Sequence, residues 1–81
     1  MSKVTIYTTP WCGFCKTAKN YMTDNGVQFE EKNVEQDQEA AIEAVKKSNQ
    51  MGVPVIDVNG TIIVGFNKTL LDQALTREKL I

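Results

Sequence analysis

A chain of 81 residues, 42% of them apolar, has room for one compact domain, so we expect a single domain over residues 1–81. The formal net charge of −1 includes no block of Lys or Arg, which disfavours nucleic acid and anionic membranes as main partners. The apolar stretches are only strand-length, so none is predicted to cross a bilayer. Met1 leads directly into a strand-like segment without a secretory signal. We therefore expect a cytoplasmic protein, and we expect it to be a monomer.

The predicted elements alternate between strands and helices. In chain order they are a strand over 3–8, a helix over 13–25, a strand over 28–34, a helix over 37–49, strands over 55–58 and 61–64, and a last helix after the N-cap Asn67. Gly26 is expected to end the first helix, and Asn59-Gly60 is a strong hairpin signal. The first βαβ unit should be parallel and the last hairpin antiparallel. This order, βαβαββα, predicts an α/β fold with a mixed four-stranded sheet and three helices.

Apolar spacing predicts one apolar face on each helix, and we expect that of the second helix to be buried. The predicted faces are Phe14, Ala18, Tyr21 and Met22 in the first helix, Ala41, Ile42 and Val45 in the second, and Leu70, Leu71, Ala74 and Leu75 in the third. The second strand carries Glu30, Glu31 and Lys32, charges typical of a sheet edge that must not recruit another chain.

Two cysteines, Cys12 and Cys15, lie at the junction of the first strand and the first helix. In a reducing compartment such a pair is more often redox-active or metal-binding than structural. The start of a helix offers unpaired N–H groups and partial positive charge, which favour the thiolate of Cys12. Side chains three positions apart on a helix are neighbours, so Cys15 can resolve a mixed disulfide formed at Cys12. The spacing predicts Cys12 as the nucleophile and Cys15 as the resolving thiol.

Two structural alternatives compete with this interpretation. The chain has no His and no third Cys, so a structural zinc ion would need carboxylates or another chain, and we expect no bound metal. Two buried thiols without any chemistry would not require a helix start. Trp11, beside the nucleophile, is interpreted as a contact for substrate because it lies in a loop next to a reactive group.

The sequence resembles the glutaredoxin branch of the thioredoxin superfamily along essentially its whole length. The resemblance rests on the strand before the motif, on Cys12-Gly13-Phe14-Cys15, on Gly52-Val53-Pro54 and on Gly65-Phe66 before the last helix. It implies a thioredoxin fold and thiol–disulfide oxidoreductase activity. It also implies a cis Pro54 that faces the cysteines, and a Val53 backbone that pairs with glutathione or an extended substrate peptide.

The segment around Gly65 departs from the family pattern. Glutaredoxins commonly carry a Gly-Gly pair and then an acid there, which hold the glutamyl end of glutathione, whereas this chain has Gly65-Phe66-Asn67-Lys68. The Lys that commonly lies three residues before the first Cys is replaced by Thr9. The N–H groups after Phe66 and the charge of Lys16 are expected to help bind a carboxylate. The predicted substrate-binding residues are Trp11, Phe14, Lys16, Val53, Pro54, Gly65, Phe66 and Asn67.

Three functions with defined chemistry remain open at this point, and a binding module without chemistry, which would require both cysteines to be dispensable, is a further alternative. The first is reduction of protein disulfides or glutathione mixed disulfides, with no bound cofactor and with glutathione as reductant or co-substrate. The second follows from Gly65-Phe66, which is similar to small redoxins that serve ribonucleotide reductase and are recharged by thioredoxin reductase. The third is transport of a 2Fe–2S cluster between two chains, because the motif resembles the Cys-Gly-Phe-Ser sequence of monothiol glutaredoxins; Cys12 of each chain would be the ligand.

Overall fold

The computed structural model describes residues 4–49, 52 and 54–80. Its elements are β1 (Val4–Thr8), α1 (Gly13–Asp24), β2 (Glu30–Asn33), α2 (Gln38–Ser48), β3 (Val55–Val58), β4 (Thr61–Val64) and α3 (Lys68–Arg77). The sheet order is β2-β1-β3-β4, with β1 parallel to β2 and antiparallel to β3, and with β3 antiparallel to β4. The predicted element order, the mixed four-stranded sheet and the edge position of β2 are confirmed. Within the described residues no helix is both long and apolar enough to cross a membrane.

The end of α1 is set by a glycine in the left-handed region. Gly26 has φ +72° and donates its N–H to the carbonyl of Thr23 at 3.0 Å. Val27 then donates to the carbonyl of Met22 at 2.9 Å and packs into the core. These two bonds satisfy carbonyls that the last turn of a helix leaves open, as in the Schellman motif. The prediction that Gly26 ends the helix is confirmed.

Local side-chain chemistry also sets the hairpin and the helix starts. Asn59 and Gly60 both have positive φ, 49° and 100°, as a tight type I′ turn between β3 and β4 requires. The side chain of Asn67 accepts the N–H of Leu70 at 3.1 Å and caps α3, as predicted. Asp37 caps α2 in the same way by accepting two backbone N–H groups.

The sheet separates two apolar clusters. On one face, α1 and α3 pack on the sheet around Val4, Ile6, Ala18, Met22, Val27, Ile56, Val58, Ile63, Leu71, Ala74 and Leu75. On the other face α2 covers Tyr7 and Val55 through Ala40 and Ala44, and the partly buried Val34 and Ile62 pack against them. The alternation of strand side chains produces this division, because neighbours in a strand point to opposite faces.

The predicted buried face of α2 is wrong. Ile42 is 55% exposed and Val45 is 40% exposed, whereas Ala40 and Ala44 are buried. Helical spacing is satisfied by either face, and the smaller side chains let the helix axis approach the sheet closely. The helix is therefore rotated so that two large apolar side chains face outward.

A polar network fixes that rotation. The buried hydroxyl of Tyr7 donates to Glu43 at 2.7 Å and accepts from the ammonium group of Lys47 at 2.8 Å. Lys47 also donates to Asp57 on β3 at 2.6 Å, and Lys32 on β2 donates to Glu43 at 3.2 Å. Burial lowers the pKa of Lys47, but its bonds to Asp57 and Tyr7 outweigh that effect and raise it. Lys47 therefore stays charged and ties α2 to two strands.

Two further side chains of the predicted apolar helix faces are exposed. Phe14 in the first turn of α1 is largely exposed. Leu70 is 49% exposed and lies beside Thr61 and Ile62 of β4, the edge strand of the described sheet. The other predicted positions of the two faces that are buried are Ala18, Met22, Leu71, Ala74 and Leu75.

Candidate functional site

The cysteines follow β1 at one end of the sheet, where the end of β1 lies near the start of β3 and the end of β4. Tyr7 near the end of β1 is opposite Val55 at the start of β3, and Val55 is opposite Val64 at the end of β4. The loop after β1 therefore emerges beside the segments that begin β3 and follow β4. This topology brings residues that are far apart in the sequence to one edge.

Cys12 is the N-cap of α1. Its backbone is extended, with φ −84° and ψ 109°, and its Sγ accepts the backbone N–H of Cys15 at 3.1 Å. The carbonyl of Cys12 accepts the N–H of Lys16 at 3.2 Å, which begins the helix. A sulfur atom thus takes the place of the usual Ser, Thr or Asp oxygen. That sulfur therefore lies beside a hydrogen-bond donor and at the positive end of the helix dipole.

Cys15 lies in a very different environment. Its side chain is 1% exposed, whereas Cys12 is partly exposed, and both are free thiols. Burial raises the pKa of the Cys15 thiol to about 12, and the hydrogen bond with the Cys12 side chain adds to the shift. Cys15 therefore keeps its proton at neutral pH. The site holds one accessible sulfur and one protected thiol.

A groove begins two residues after Cys12. It has a volume of about 510 Å³ and is lined by Phe14, Val64, Gly65, Phe66, Asn67 and Lys68. Gly65 has φ +74°, a value that other residues adopt only under strain, and it turns the chain from β4 toward α3. The groove joins the first turn of α1 to the segment before α3.

Contacts between α1 and α3 fix the far wall of this groove. The rings of Phe66 and Tyr21 pack edge to face, with their centroids 5.9 Å apart. The ammonium group of Lys68 lies 5.7 Å from the centroid of the same Tyr21 ring. The Tyr21 hydroxyl donates to Asp72 on α3. These contacts hold Phe66 and Lys68 in place before any substrate arrives.

Four of the predicted substrate-binding residues lie together in the groove, namely Phe14, Gly65, Phe66 and Asn67. Trp11 is 74% exposed in the loop before Cys12, and Lys16 is exposed on α1. Pro54 is buried, and its carbonyl accepts the N–H of Gly65 at 2.8 Å, which joins the start of β3 to the end of β4. Val53 and the Val53–Pro54 peptide bond lie outside the described residues, so the cis bond stays a prediction.

Sequence reasoning did not include Val64 and Lys68 among the site residues. Lys68 directly follows the N-cap Asn67, and its position beside the Gly65-Phe66 pair was the available signal. Val64 follows the buried Ile63 in β4, and because successive side chains of a strand point to opposite faces, Val64 could have been predicted to be exposed. For metals, no three His, Cys, Asp or Glu side chains come together within the described ranges. A bridging cluster would thus need ligands from a second chain or a small thiol.

The sheet and the cysteine pair at the start of its first helix define a thioredoxin-like class of protein. The solved structure of the thioredoxin-like protein BC3987 matches with a TM-score of 0.84 at 28% identity, covering 89% of this chain and 99% of that chain. The structure of the glutaredoxin-like protein NrdH-redoxin from Escherichia coli matches with a TM-score of 0.76 at 30% identity, covering 86% and 91%. The predicted thioredoxin fold is confirmed.

The family follows from the sequence comparisons. The glutaredoxin family model matches residues 4–63. An uncharacterised glutaredoxin-like 8.6 kDa protein in the rubredoxin operon of Clostridium pasteurianum is 40% identical over 74 residues, covering 91% of this chain and 99% of that protein. The chain belongs to the glutaredoxin family, as its resemblance predicted. Family and fold together support a thiol redox function.

Proposed function

We propose that this chain is a thiol–disulfide oxidoreductase that reduces protein disulfides or glutathione mixed disulfides through Cys12 and Cys15. The observation that carries the proposal is the hydrogen bond of 3.1 Å from the Cys15 N–H to the Cys12 sulfur. It supports an attacking role for Cys12, because the attacking species in disulfide exchange is the thiolate. Burial of Cys15 supports the complementary role of a thiol that acts only in the second step.

The first step is attack by the Cys12 thiolate on one sulfur of the substrate disulfide. The old S–S bond breaks, a new one joins Cys12 to that sulfur, and the other substrate sulfur leaves as a thiolate that takes a proton from solvent. In the second step Cys15 loses its proton and attacks the sulfur of Cys12. The remaining substrate sulfur leaves as a thiol, and two electrons have passed from the cysteine pair to the substrate.

The state of Cys12 controls when Cys15 can react. In the reduced protein, burial and the hydrogen bond with Cys12 both raise the pKa of Cys15. In the mixed disulfide the Cys12 sulfur carries no charge, so its contribution to the high pKa of Cys15 disappears. Burial then still raises that pKa, while the backbone hydrogen bond with Thr9 and the charge of Lys19 lower it. The departing thiolate or solvent can then take the Cys15 proton. Cys15 can therefore release the substrate only after the substrate has formed the mixed disulfide with Cys12.

Two reductants can return the electrons, glutathione or thioredoxin reductase. Recharging by thioredoxin reductase is the second candidate. Glutaredoxins commonly hold the glutamyl end of glutathione with an acid near the start of the last helix, and this chain has Lys68 in that segment instead, which favours the second candidate. The Escherichia coli NrdH-redoxin, 30% identical, is described as a glutaredoxin-like protein with a thioredoxin-like activity profile. We place the reaction in the reducing cytoplasm, where both reductants operate.

The test is disulfide reduction coupled to NADPH in two parallel arms. One arm contains glutathione and glutathione reductase, and the other contains thioredoxin reductase. Turnover in the first arm identifies a working glutaredoxin, whereas turnover only in the second identifies a redoxin recharged by thioredoxin reductase. No turnover in either arm, with the protein folded, would contradict the proposal and direct attention to anaerobic purification and a bridged 2Fe–2S cluster.

Two variants separate the roles of the cysteines. Cys12→Ser keeps an oxygen at the helix N-cap, so the helix should be retained while exchange is lost. Cys15→Ser should stop reduction of protein disulfides and spare attack on glutathione mixed disulfides, which need only one cysteine of the enzyme. Full activity of Cys12→Ser would rule out the proposed nucleophile.

A further inference from the structure

We propose that the groove formed by Phe14, Phe66 and Lys68 selects protein disulfides flanked by an apolar and an acidic residue, and that Lys68 determines this specificity. The inference deepens the proposed function and rests on it. It assigns a substrate class to the surface beside Cys12, and it disfavours glutathione as the species that fills the groove. It follows from two properties of that surface, its exposed apolar side chains and its single charge.

Large apolar side chains are exposed close to the nucleophile. Trp11 and Phe14 flank Cys12 in sequence and are 74% and 68% exposed. Phe14 lines the groove together with Val64 and Phe66. Exposed apolar surface that is continuous and next to a reactive group marks a binding face. A partner gains from this surface only if it brings apolar side chains of its own.

Glutathione lacks such side chains. Its cysteine is flanked by a γ-glutamyl group and a glycine, neither of which can cover an aromatic ring with apolar surface. A protein segment around a disulfide can carry a Phe, Leu or Val next to the reacting cysteine. The exposed rings of Trp11 and Phe14 therefore fit a protein substrate better than the tripeptide.

The groove also carries a single charge. Among the described residues that line it, Lys68 alone is charged, and its ammonium group lies over the ring of Tyr21. The nearest acid along α3, Asp72, accepts the Tyr21 hydroxyl bond and does not line the groove. The start of α3 adds partial positive charge beside Lys68. A local positive site on a chain of net charge −1 attracts a carboxylate.

The glutamyl end of glutathione gains little from this charge. It carries an ammonium group and a carboxylate on the same carbon, so attraction and repulsion by Lys68 largely cancel. An Asp or Glu side chain of a protein segment carries the carboxylate alone. The charge of Lys68 thus favours an acidic side chain of a protein segment over the glutamyl end of glutathione.

The test uses three synthetic peptides that each contain one disulfide with a Phe beside one cysteine. The residue next to this Phe–Cys pair is Glu, Gln or Lys, and the rest of the sequence is identical in the three peptides. Reduced protein is mixed with each peptide and with oxidised glutathione in single turnovers, and the peptide thiols are followed by mass spectrometry. This assay needs no reductase, so it does not depend on the identity of the electron donor.

The wild-type chain should reduce the Glu peptide about three to ten times faster than the Lys peptide at low salt, with a smaller ratio at high salt. Lys68→Glu should reverse the order. Lys46→Glu makes the same charge change on an exposed lysine of α2, on the other face of the sheet, and should leave the order unchanged.

The outcomes separate the inference from the proposed function. If the wild-type chain reduces none of the disulfides, the proposed function fails and the inference fails with it. If it reduces all three peptides at equal rates, the function stands and the inference alone is overturned. The inference is also overturned if Lys68→Glu changes the order no more than Lys46→Glu does, or if oxidised glutathione reacts as fast as the Glu peptide.

Discussion

The thiol of Cys15 should make the protein less stable in alkaline solution. Its pKa is raised from 9.0 to about 12, mainly by burial and then by the hydrogen bond with Cys12. Because the pKa of Cys15 is higher in the folded protein than in the unfolded chain, the folded state keeps the proton between about pH 9 and about pH 12, whereas the unfolded state releases it. The stabilising contribution is fully present below about pH 9 and is lost as the pH rises toward 12.

The size of the effect follows from proton linkage. In the middle of this interval the free energy of unfolding falls by about 1.4 kcal/mol per pH unit. Between about pH 9 and about pH 10.5 the loss is therefore roughly 2 kcal/mol. A domain of this size has a total stability on the order of 5–10 kcal/mol, so the loss is readily measured.

The assay compares urea unfolding of Cys12→Ser with that of Cys12→Ser/Cys15→Ala between about pH 8.5 and about pH 10.5. Both variants keep an oxygen at the N-cap and neither can form the disulfide. All Lys and Tyr residues are common to both, so their titration cancels in the difference. Removing Cys12 leaves burial, the largest cause of the shift, in place. As the pH rises, we expect the free energy of unfolding of Cys12→Ser to fall by up to about 2 kcal/mol relative to that of Cys12→Ser/Cys15→Ala. A difference between the two variants that stays constant with pH would refute the account of this thiol.

Two further predictions concern the local signals that set the fold. Gly65→Ala should lower the free energy of unfolding by about 1 kcal/mol through backbone strain at φ +74°, whereas Gly13→Ala, where an added Cβ also meets no neighbour, should be neutral or slightly stabilising. Equal urea midpoints for these two variants would contradict the assigned strain. Asp37→Ala should cost about 1 kcal/mol because α2 loses its cap, and Asp37→Ser should restore most of it. If both Asp37 variants unfold at the same urea concentration, the cap is not the cause.

Features determined by neighbouring residues could be predicted from the sequence. Gly26 ends α1, Asn59-Gly60 turns the hairpin and Asn67 caps α3 because each depends on backbone conformation and hydrogen bonds within a few residues. The position of Cys12 at the helix start is of the same kind. These signals also fix the order of strands and helices, which is why the topology followed from them.

Features that depend on tertiary contacts could not be predicted in this way. Spacing alone gave Ile42 and Val45 as buried, but the contact of Ala40 and Ala44 with the sheet and the bonds of Lys47 decide how α2 is rotated. The groove beside Cys12 likewise depends on contacts between α1 and α3. The placement of its charge depends on Tyr21, whose ring lies under Lys68 and whose hydroxyl bonds to Asp72, 51 positions further along the chain.

The central claim, that Cys12 attacks and Cys15 resolves, is tested most directly by trapping the mixed disulfide. Cys15→Ser is incubated with the Glu peptide disulfide, and the product is digested and examined by mass spectrometry. The account predicts one peptide per chain, joined to Cys12, and no such adduct when wild-type protein is used, because Cys15 releases it. An adduct that persists in the wild-type chain, or the absence of any adduct at Cys12 in the variant, would contradict the mechanism.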